Sequence, residues 1–599
     1  MLIATLFIFS IFGAQLFWVQ GINASGVSAA ALKERTTEAL IPALRGQILD
    51  TNGVVLASSQ ERFTISVNQT AVCTYGTRKP KCDPATSATA VAKAAAVLSP
   101  IVKVPPDQLV PLMTGNARYN VLVKDVTPLT WRQVAAKGIP GIGVSGSDRS
   151  AVRNYPQSTT AASLVGYLYK NSEGKQRAAG IEGLENAALA GRPGVETYEQ
   201  AAGGGAIPDG NSSITPAVPG HDVQLTINSN IQWYAQNALA QAVQRTEALS
   251  GTVVVQDVRT GRLLAVASYP TFDPNHVGKA TGSLSNTAFT DVFEPGSTQK
   301  VITMASALSE GKVTPSTPVV IPSEMHRSDG VFHDAETHGT EYRTVAGALA
   351  ESSNMGTMLV GETVPSSVLY SYMRKFGLGS LSGSKFPGES EGLLAPSDKW
   401  NGTQRYTVMY GQGLSVTAIQ AAGVYQTIAN GGLRMPPSLV QSIGDDSGTL
   451  VPQPLPTGIR VVSPGVANNL SQMLEGVVSA QGTAPAAQIA GYRVAGKTGT
   501  ADRPGPNGHY SGKTASFIGY APADKPQIVV AVILQKPIKG YFGGIVAAPV
   551  FHDVMTYALQ ELKIPPTGTT APQLKTKLDG APAADDPTVL RDKRQKSGG

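Results

Sequence analysis

The chain has 599 residues, 42% hydrophobic and 15% charged, with a formal net charge of +6. That length exceeds one ordinary domain and the composition describes a folded chain with a real core, so two or three domains are expected. The charge is modest and forms no basic stripe interleaved with aromatics, which argues against a nucleic-acid binder. In chain order, Leu2 to Gly21 carry no charge and are dominated by Leu, Ile, Phe and Ala. A run of about 20 apolar residues predicts a membrane span, longer than the core of a cleaved signal. No Lys or Arg precedes the run, whereas Lys33 and Arg35 follow it. The positive-inside rule therefore lends no support to an exported body, and a basic tail upstream is expected. Cys73 and Cys82 lie close together around turn-forming residues. They read as a disulfide if the domain is exported, or as two free thiols if it is cytosolic. Two cysteines do not make a structural zinc site unaided, and no metal or cofactor is expected.

Arg45 to Ala57 reads as strand, Asn52-Gly53 turn, strand. The region from 85 to 140 mixes Ala-rich helix with short strands. Gly203 to Pro219, rich in Gly, Pro, Ser and Asn, marks the domain boundary. Beyond it come a strand from Val223 to Ile227 and a helix from Ile231 to Val243. A hairpin follows around Thr260-Gly261, and the second half reads as one α/β domain. From Pro565 onward apolar periodicity disappears and disorder is expected. The expected organisation is a span at 1–21, a first domain at 22–218, a second at 219–564 and a disordered tail at 565–599.

The second domain carries the chemistry. Phe293-Glu294-Pro295-Gly296-Ser297-Thr298-Gln299-Lys300 leads into the apolar residues Val301, Ile302, Met304, Ala305 and Leu308. That spacing predicts a buried helix with Ser297 in its first turn and Lys300 on the same face. A hydroxyl with an amine one turn away, at a helix N-terminus, suits nucleophilic catalysis. An ordinary lysine is protonated at neutral pH, so Lys300 needs desolvation or a second cation nearby. Ser-x-x-Lys recurs at Ser172/Lys175, Ser309/Lys312 and Ser382/Lys385, but only Ser297 follows a Pro-Gly turn and opens an apolar helix. Ser352-Ser353-Asn354 follows a small-residue helix and offers a hydroxyl and an amide two positions apart. Lys497-Thr498-Gly499-Thr500 ends an alternating, strand-like stretch and supplies a second cation able to bind a carboxylate.

Rival patterns are weaker. Gly491 to Thr498 matches the phosphate-loop spacing, but no helix pattern follows Lys497 and no apolar strand precedes Gly491. His333 and His338 near Asp334 and Glu336 lack metalloprotease spacing and read as a polar loop. No Gly-x-Ser-x-Gly elbow exists.

The order of the three triplets is specific where each alone is weak. Ser297…Lys300, Ser352…Asn354 after about 55 residues, and Lys497-Thr498-Gly499 after roughly 145 more form the set of penicillin-binding proteins and serine β-lactamases. The sequence resembles a class B penicillin-binding protein, a monofunctional peptidoglycan D,D-transpeptidase. The resemblance extends to Arg45-Gly46, Arg153…Tyr155-Pro156 and Gly180-Ile181-Glu182-Gly183 in the first half. In the second it includes Tyr410-Gly411-Gln412-Gly413 and Ile428-Ala429-Asn430-Gly431-Gly432. The Phe-Glu-Pro-Gly-Ser-Thr form most resembles the septal, FtsI-type branch; an elongation-type enzyme or a β-lactam sensor or β-lactamase on the same fold is the alternative.

The resemblance implies a fold as well as roles. The fold is a mixed α/β (α+β) transpeptidase domain with a central, mainly antiparallel sheet flanked by helices, after an α+β pedestal and one N-terminal transmembrane helix. The implied roles are Ser297 as nucleophile, Lys300 as base, Ser352 as proton relay, Asn354 as positioner and Lys497 as electrostatic support. Thr498, Gly499 and Thr500 bind substrate, and the backbone N–H groups of Ser297 and Thr500 form an oxyanion hole. The implied ligands are peptidoglycan stem peptides ending in D-Ala-D-Ala, and β-lactams as covalent inhibitors. A SEDS-type glycosyltransferase and divisome membrane proteins are the implied partners. The body is expected outside the cell membrane on a single anchor. Asn228 stands where the family places aspartate, a change expected to touch packing more than chemistry.

Overall fold

The computed structural model describes residues 1–78, 81–144, 148–199, 212–505 and 509–592. Residues 203–211 of the expected linker and 593–599 of the expected tail lie outside the described residues. The chain forms two compact units. The first comprises Met1–Gln47, Ser58–Asn154 and Ala187–His221; the second comprises Ile48–Ala57, Tyr155–Asn186 and Asp222 onward.

The first unit opens on an apolar helical run, Leu2–Ile22, with a mean hydropathy of 2.1 and none of it buried. It is long enough to cross a bilayer. A three-stranded antiparallel sheet follows, with Thr36–Ile41 and Ser212–Thr215 on either side of Gly194–Glu199. The main core gathers Phe63, Ile65 and Val67 from one strand with Leu109, Met113 and Val134 from short helices. Helix Pro84–Val102 adds Ala90, Val91, Ala94, Ala95 and Leu98, an i, i+4 stripe of small and branched residues. Asp83 caps it through Ala85 N–H at 3.0 Å, and Pro84 occupies the first turn, where a missing N–H costs nothing. Cys73, in the same core, is paired with Cys82, their Cα atoms 5.4 Å apart, within the span of a disulfide.

The second unit is built on a five-stranded antiparallel sheet. In spatial order its strands are Leu263–Tyr269, Ser250–Asp257, Ile528–Gln535, Tyr510–Ala521 and Ala495–Pro504. Val253, Val254 and Val255 are buried in succession, as are Ile528 to Leu534, the pattern of strands covered on both faces. Helices Ser229–Thr246 and Ala548–Glu561 pack together against the sheet, and Ala418–Ala429 packs on its central strands. Asn228 is the cap of the first of these, accepting from Asn230 and Ile231 N–H and donating to Glu561 Oε1 at 3.2 Å.

Two boundaries differ from the contiguous domains expected. Residues 48–57 and 155–186 pack with the second unit. The Asn52-Gly53 hairpin is present, with Gly53 at φ 85 and Asp50 accepting from Asn52 and Val54 N–H at 2.8 Å. The same Asp50 accepts Ser229 N–H at 3.0 Å, which ties the hairpin to the second unit. The segment from Pro565 to Asp592, whose composition suggests disorder, makes defined contacts. Thr344 donates to the Lys575 and Thr576 carbonyls, Val320 N–H to Leu590 O, and Arg327 pairs with Asp592. Backbone pairing holds this segment, so it needs no apolar period of its own.

Candidate active site

Ser297 sits in a 3-10 turn, Gly296–Gln299, that runs into the buried α-helix Lys300–Ser309. This refines the expected α-helical first turn. In a 3-10 turn residues three apart eclipse, so Ser297 and Lys300 stack on one side more directly than in an α-helix. The turn is pinned from several sides. Gly296 N–H donates to Gly411 O at 2.9 Å, Thr298 Oγ1 to Pro295 O at 2.8 Å, and Tyr425 Oη to Thr298 O at 3.0 Å. A Cβ on Gly499 would lie 2.9 Å from the Pro295 carbonyl oxygen. Glycine there lets the edge strand Ala495–Pro504 close onto the serine turn. Ser297 itself is half-buried and faces a groove of roughly 610 Å³.

Lys300 is fully buried, and its Nζ donates to the Ser352 carbonyl and lies 3.3 Å from Ser352 Oγ. Desolvation lowers its pKa from 10.5 to about 7, opposed by the negative charge of Asp334. The amine is therefore partly neutral at physiological pH. Ser352 adopts φ 65, left-handed for a residue with a Cβ, and so puts both its carbonyl and its hydroxyl within reach of the amine. Asn354 opens the next helix, Asn354–Gly361, and its Nδ2 donates to His333 O at 3.2 Å.

Lys497 is also fully buried. Among the described residues its Nζ has as hydrogen-bond partners Thr498 O at 3.4 Å and Thr498 Oγ1 at 3.2 Å. Burial, then repulsion from Lys300, holds its pKa well below the usual lysine value. Among the described residues neither amine has an ion-pair partner, and a charged Lys300 makes protonation of Lys497 harder still. Thr498 Oγ1 lies 3.0 Å from Thr483 Oγ1, and Thr500 Oγ1 accepts Gly543 N–H at 3.2 Å. Ser297, Ser352, Asn354, Thr498 and Thr500 all line the one groove.

The other sequence candidates fall elsewhere. Lys175 is exposed and paired with Glu173 at 3.0 Å, and Ser309 and Ser382 do not reach the groove. The phosphate-loop spacing fails because Lys497 lies inside a strand, with no helix N-terminus to receive a phosphate. Among the described residues no His, Cys, Asp and Glu group could hold a metal ion. Sequence reasoning missed two residues of the site. Thr483, outside any motif, backs Thr498. Asp334, read as part of a polar loop, accepts from Ser353 Oγ at 2.6 Å, from Met355 N–H at 3.1 Å and from Asn354 N–H. The signal that could have found it is a lone acidic residue in a polar loop ahead of a helix start in need of a partner for its N–H groups.

Comparisons with known proteins identify the family. The family described as the penicillin-binding protein transpeptidase domain matches residues 251–556, and the penicillin-binding protein dimerisation domain matches 40–225. Penicillin-binding protein PbpB of Mycolicibacterium smegmatis is 34% identical over 597 residues, covering 96% of this chain and 91% of that protein. Peptidoglycan D,D-transpeptidase FtsI of Escherichia coli is 33% identical, covering 79% of this chain and 78% of that protein. The crystal structure of penicillin-binding protein 3 from Mycobacterium tuberculosis complexed with aztreonam superposes with a TM-score of 0.68 at 29% identity, covering 90% of this chain and all of that one. A peptidoglycan synthetase from Bifidobacterium adolescentis gives 0.71 at 32% identity, covering 91% of this chain. The class defined by fold and site is the penicillin-binding transpeptidase domain carried with a dimerisation domain. Within it, this chain belongs to the class B penicillin-binding proteins, alongside PbpB and FtsI.

Proposed function

We propose that the chain is a peptidoglycan D,D-transpeptidase acting through a Ser297 acyl-enzyme. The observation that carries the reading is the buried Lys300 amine, without an ion-pair partner among the described residues, partly neutral at pH 7 and bonded to Ser352 in the wall of the groove that holds Ser297. In this reading Ser297 Oγ attacks the penultimate D-Ala carbonyl while Lys300 takes its proton. Ser352 passes a proton to the departing D-Ala amine, and Asn354 orients the substrate amide. Lys497 supplies positive charge when an anionic substrate arrives, with Thr498 and Thr500 holding the terminal carboxylate and Gly499 leaving room for close approach. Backbone N–H groups of Ser297 and Thr500 stabilise the oxyanion. An amine from a neighbouring stem peptide then attacks the acyl-enzyme, forming the cross-link and freeing Ser297. A β-lactam acylates the same oxygen, and its ring-opened product blocks that second attack.

The septal role rests on the Phe293-to-Thr298 form and on the likeness to FtsI. The Leu2–Ile22 helix serves as a single membrane anchor, and the Cys73–Cys82 pair suits a body in an oxidising, extracytoplasmic space. A SEDS-type glycosyltransferase and divisome membrane proteins are the partners of this reading. Labelling by a fluorescent penicillin tests it. Wild type is expected to label stably and Ser297→Ala not at all. Labelling that persists in the variant contradicts the Ser297 assignment, and rapid repeated hydrolysis of the penicillin contradicts a transpeptidase.

A further inference from the structure

The turn that carries Ser352 and Asn354 is fixed partly from within, by Ser352 N–H to Leu349 O at 3.1 Å and Ser353 N–H to Ala348 O at 2.9 Å, and partly from a distant loop. Ser352 sits at φ 65, a left-handed conformation disfavoured for a residue with a Cβ. The helix Asn354–Gly361 begins with backbone N–H groups that need partners. One side chain from a distant loop meets the second need. The Asp334 carboxylate, 10% exposed, accepts from the N–H groups of Asn354 and Met355 through Oδ1. Through Oδ2 it accepts from Ser353 Oγ at 2.6 Å and pairs with His338 Nε2 at 3.1 Å. Ser353 in turn caps the helix through Gly356 N–H at 2.8 Å, and His333 O receives the Asn354 amide. His338 faces acceptors on both sides, Asp334 at Nε2 and Gly339 O at Nδ1, an arrangement that only the imidazolium satisfies in full.

We propose that Asp334 and His338 are a positioning pair, which clamps the Ser352–Asn354 turn against Lys300 and sets how readily Lys300 gives up its proton. The inference rests on the acyl-enzyme reading above and assigns to it two residues that lie outside the three motifs. Burial disfavours the Lys300 ammonium, and Asp334 from this loop favours it; Lys497 on the edge strand is itself held down by burial and then by Lys300. His338 feels Asp334 and Glu341, and both favour the imidazolium against its partial burial. Glu336 and Glu351 line the same groove, and Glu351 is engaged by Arg343 at 2.7 Å. When His338 is charged it offsets the field of Asp334, and Lys300 loses its proton more easily. When His338 is neutral that offset is gone.

The signs separate this role from a merely structural one. The measurement is the rate of acylation by a fluorescent penicillin between about pH 5.5 and 9, on the full-length protein. Wild type is expected to show an acid limb near pH 7, where Lys300 loses its proton. Asp334→Asn keeps an acceptor oxygen but removes the charge, so its limb moves to lower pH by about half a unit or more. His338→Gln keeps a donor but removes the cation, so its limb moves the opposite way. Asp334→Ala also loosens the turn and lowers the plateau by roughly tenfold or more. Thermal unfolding of each variant reports folding, and if Asp334→Ala does not fold, the two conservative variants still decide. Limbs that coincide with wild type in both conservative variants overturn the proposal while leaving the acyl-enzyme reading intact. A wild-type protein that is not labelled overturns both.

Discussion

Arg327 and Lys300 are buried cations of the same unit, held in opposite ways. Arg327, 2% exposed, is forked onto Glu362 at 2.6 Å and Asp592 at 3.1 Å, and despite burial those carboxylates hold its pKa above the usual guanidinium value. Lys300 and Lys497 are wholly buried and, among the described residues, hydrogen-bonded only to neutral oxygens, so burial pulls both amines towards neutrality. Where the fold joins its C-terminal segment to the body, charge is compensated. Where chemistry is expected, compensation is only partial: the charge of Asp334 opposes burial at Lys300, and no ion pair among the described residues does. The cost of an unpaired buried charge is what turns an ordinary amine into a base.

Replacing Lys300 by methionine gives the sharpest test of that contrast. Acylation by penicillin is expected to fall about 10²- to 10⁴-fold, the range of a positioned general base. Stability should move the other way. The folded-state pKa of Lys300 is lowered from 10.5 to about 7, so between those values the unfolded chain binds the extra proton. Stability therefore rises with pH across that window and is penalised below it. Lys300→Met removes the penalty, and its melting temperature at neutral pH is expected to exceed that of wild type. A lower melting temperature would show that the amine is structurally required.

Arg327→Leu should invert the result. Leaving Glu362 and Asp592 without their cation is expected to cost about 3–5 kcal/mol in denaturant unfolding, while the acylation rate of the folded fraction stays near wild type. A matching loss of acylation would make the two regions one system. Thr483→Val sits lowest on the scale. It removes the hydroxyl 3.0 Å from Thr498 Oγ1, worth about 1 kcal/mol, and acylation efficiency should drop around fivefold with unchanged melting.

How far each part was readable follows from what local pattern encodes. The Pro-Gly turn and the apolar run after it mark Ser297 and Lys300 because a buried helix leaves a period in its own residues. The strand bearing Lys497 was only partly legible, since the alternating stretch Tyr492 to Ala495 lies ahead of it. The strand itself runs from Ala495 to Pro504, buried on both faces over its first residues and so without a period to read. Asp334 was not, because its partners are N–H groups of a helix about twenty residues on, and no spacing rule distinguishes it from Glu336 beside it. The 3-10 form of the serine turn depends on Gly411 and Tyr425, which are far away in sequence. The tail from Pro565 to Asp592 read as disorder because an extended strap held by backbone pairing leaves no hydrophobic period. The return of residues 48–57 and 155–186 to the second unit escaped a reading that assumes contiguous domains.

The central claim is that the Ser297 hydroxyl is the nucleophile. Mass spectrometry of the penicillin-treated wild-type protein, digested with trypsin, addresses it directly. The account predicts one adduct, carried at Ser297 within the peptide from Ala280 to Lys300. An adduct at Ser352 or on a peptide from elsewhere in the chain, with Ser297 unmodified, would contradict it.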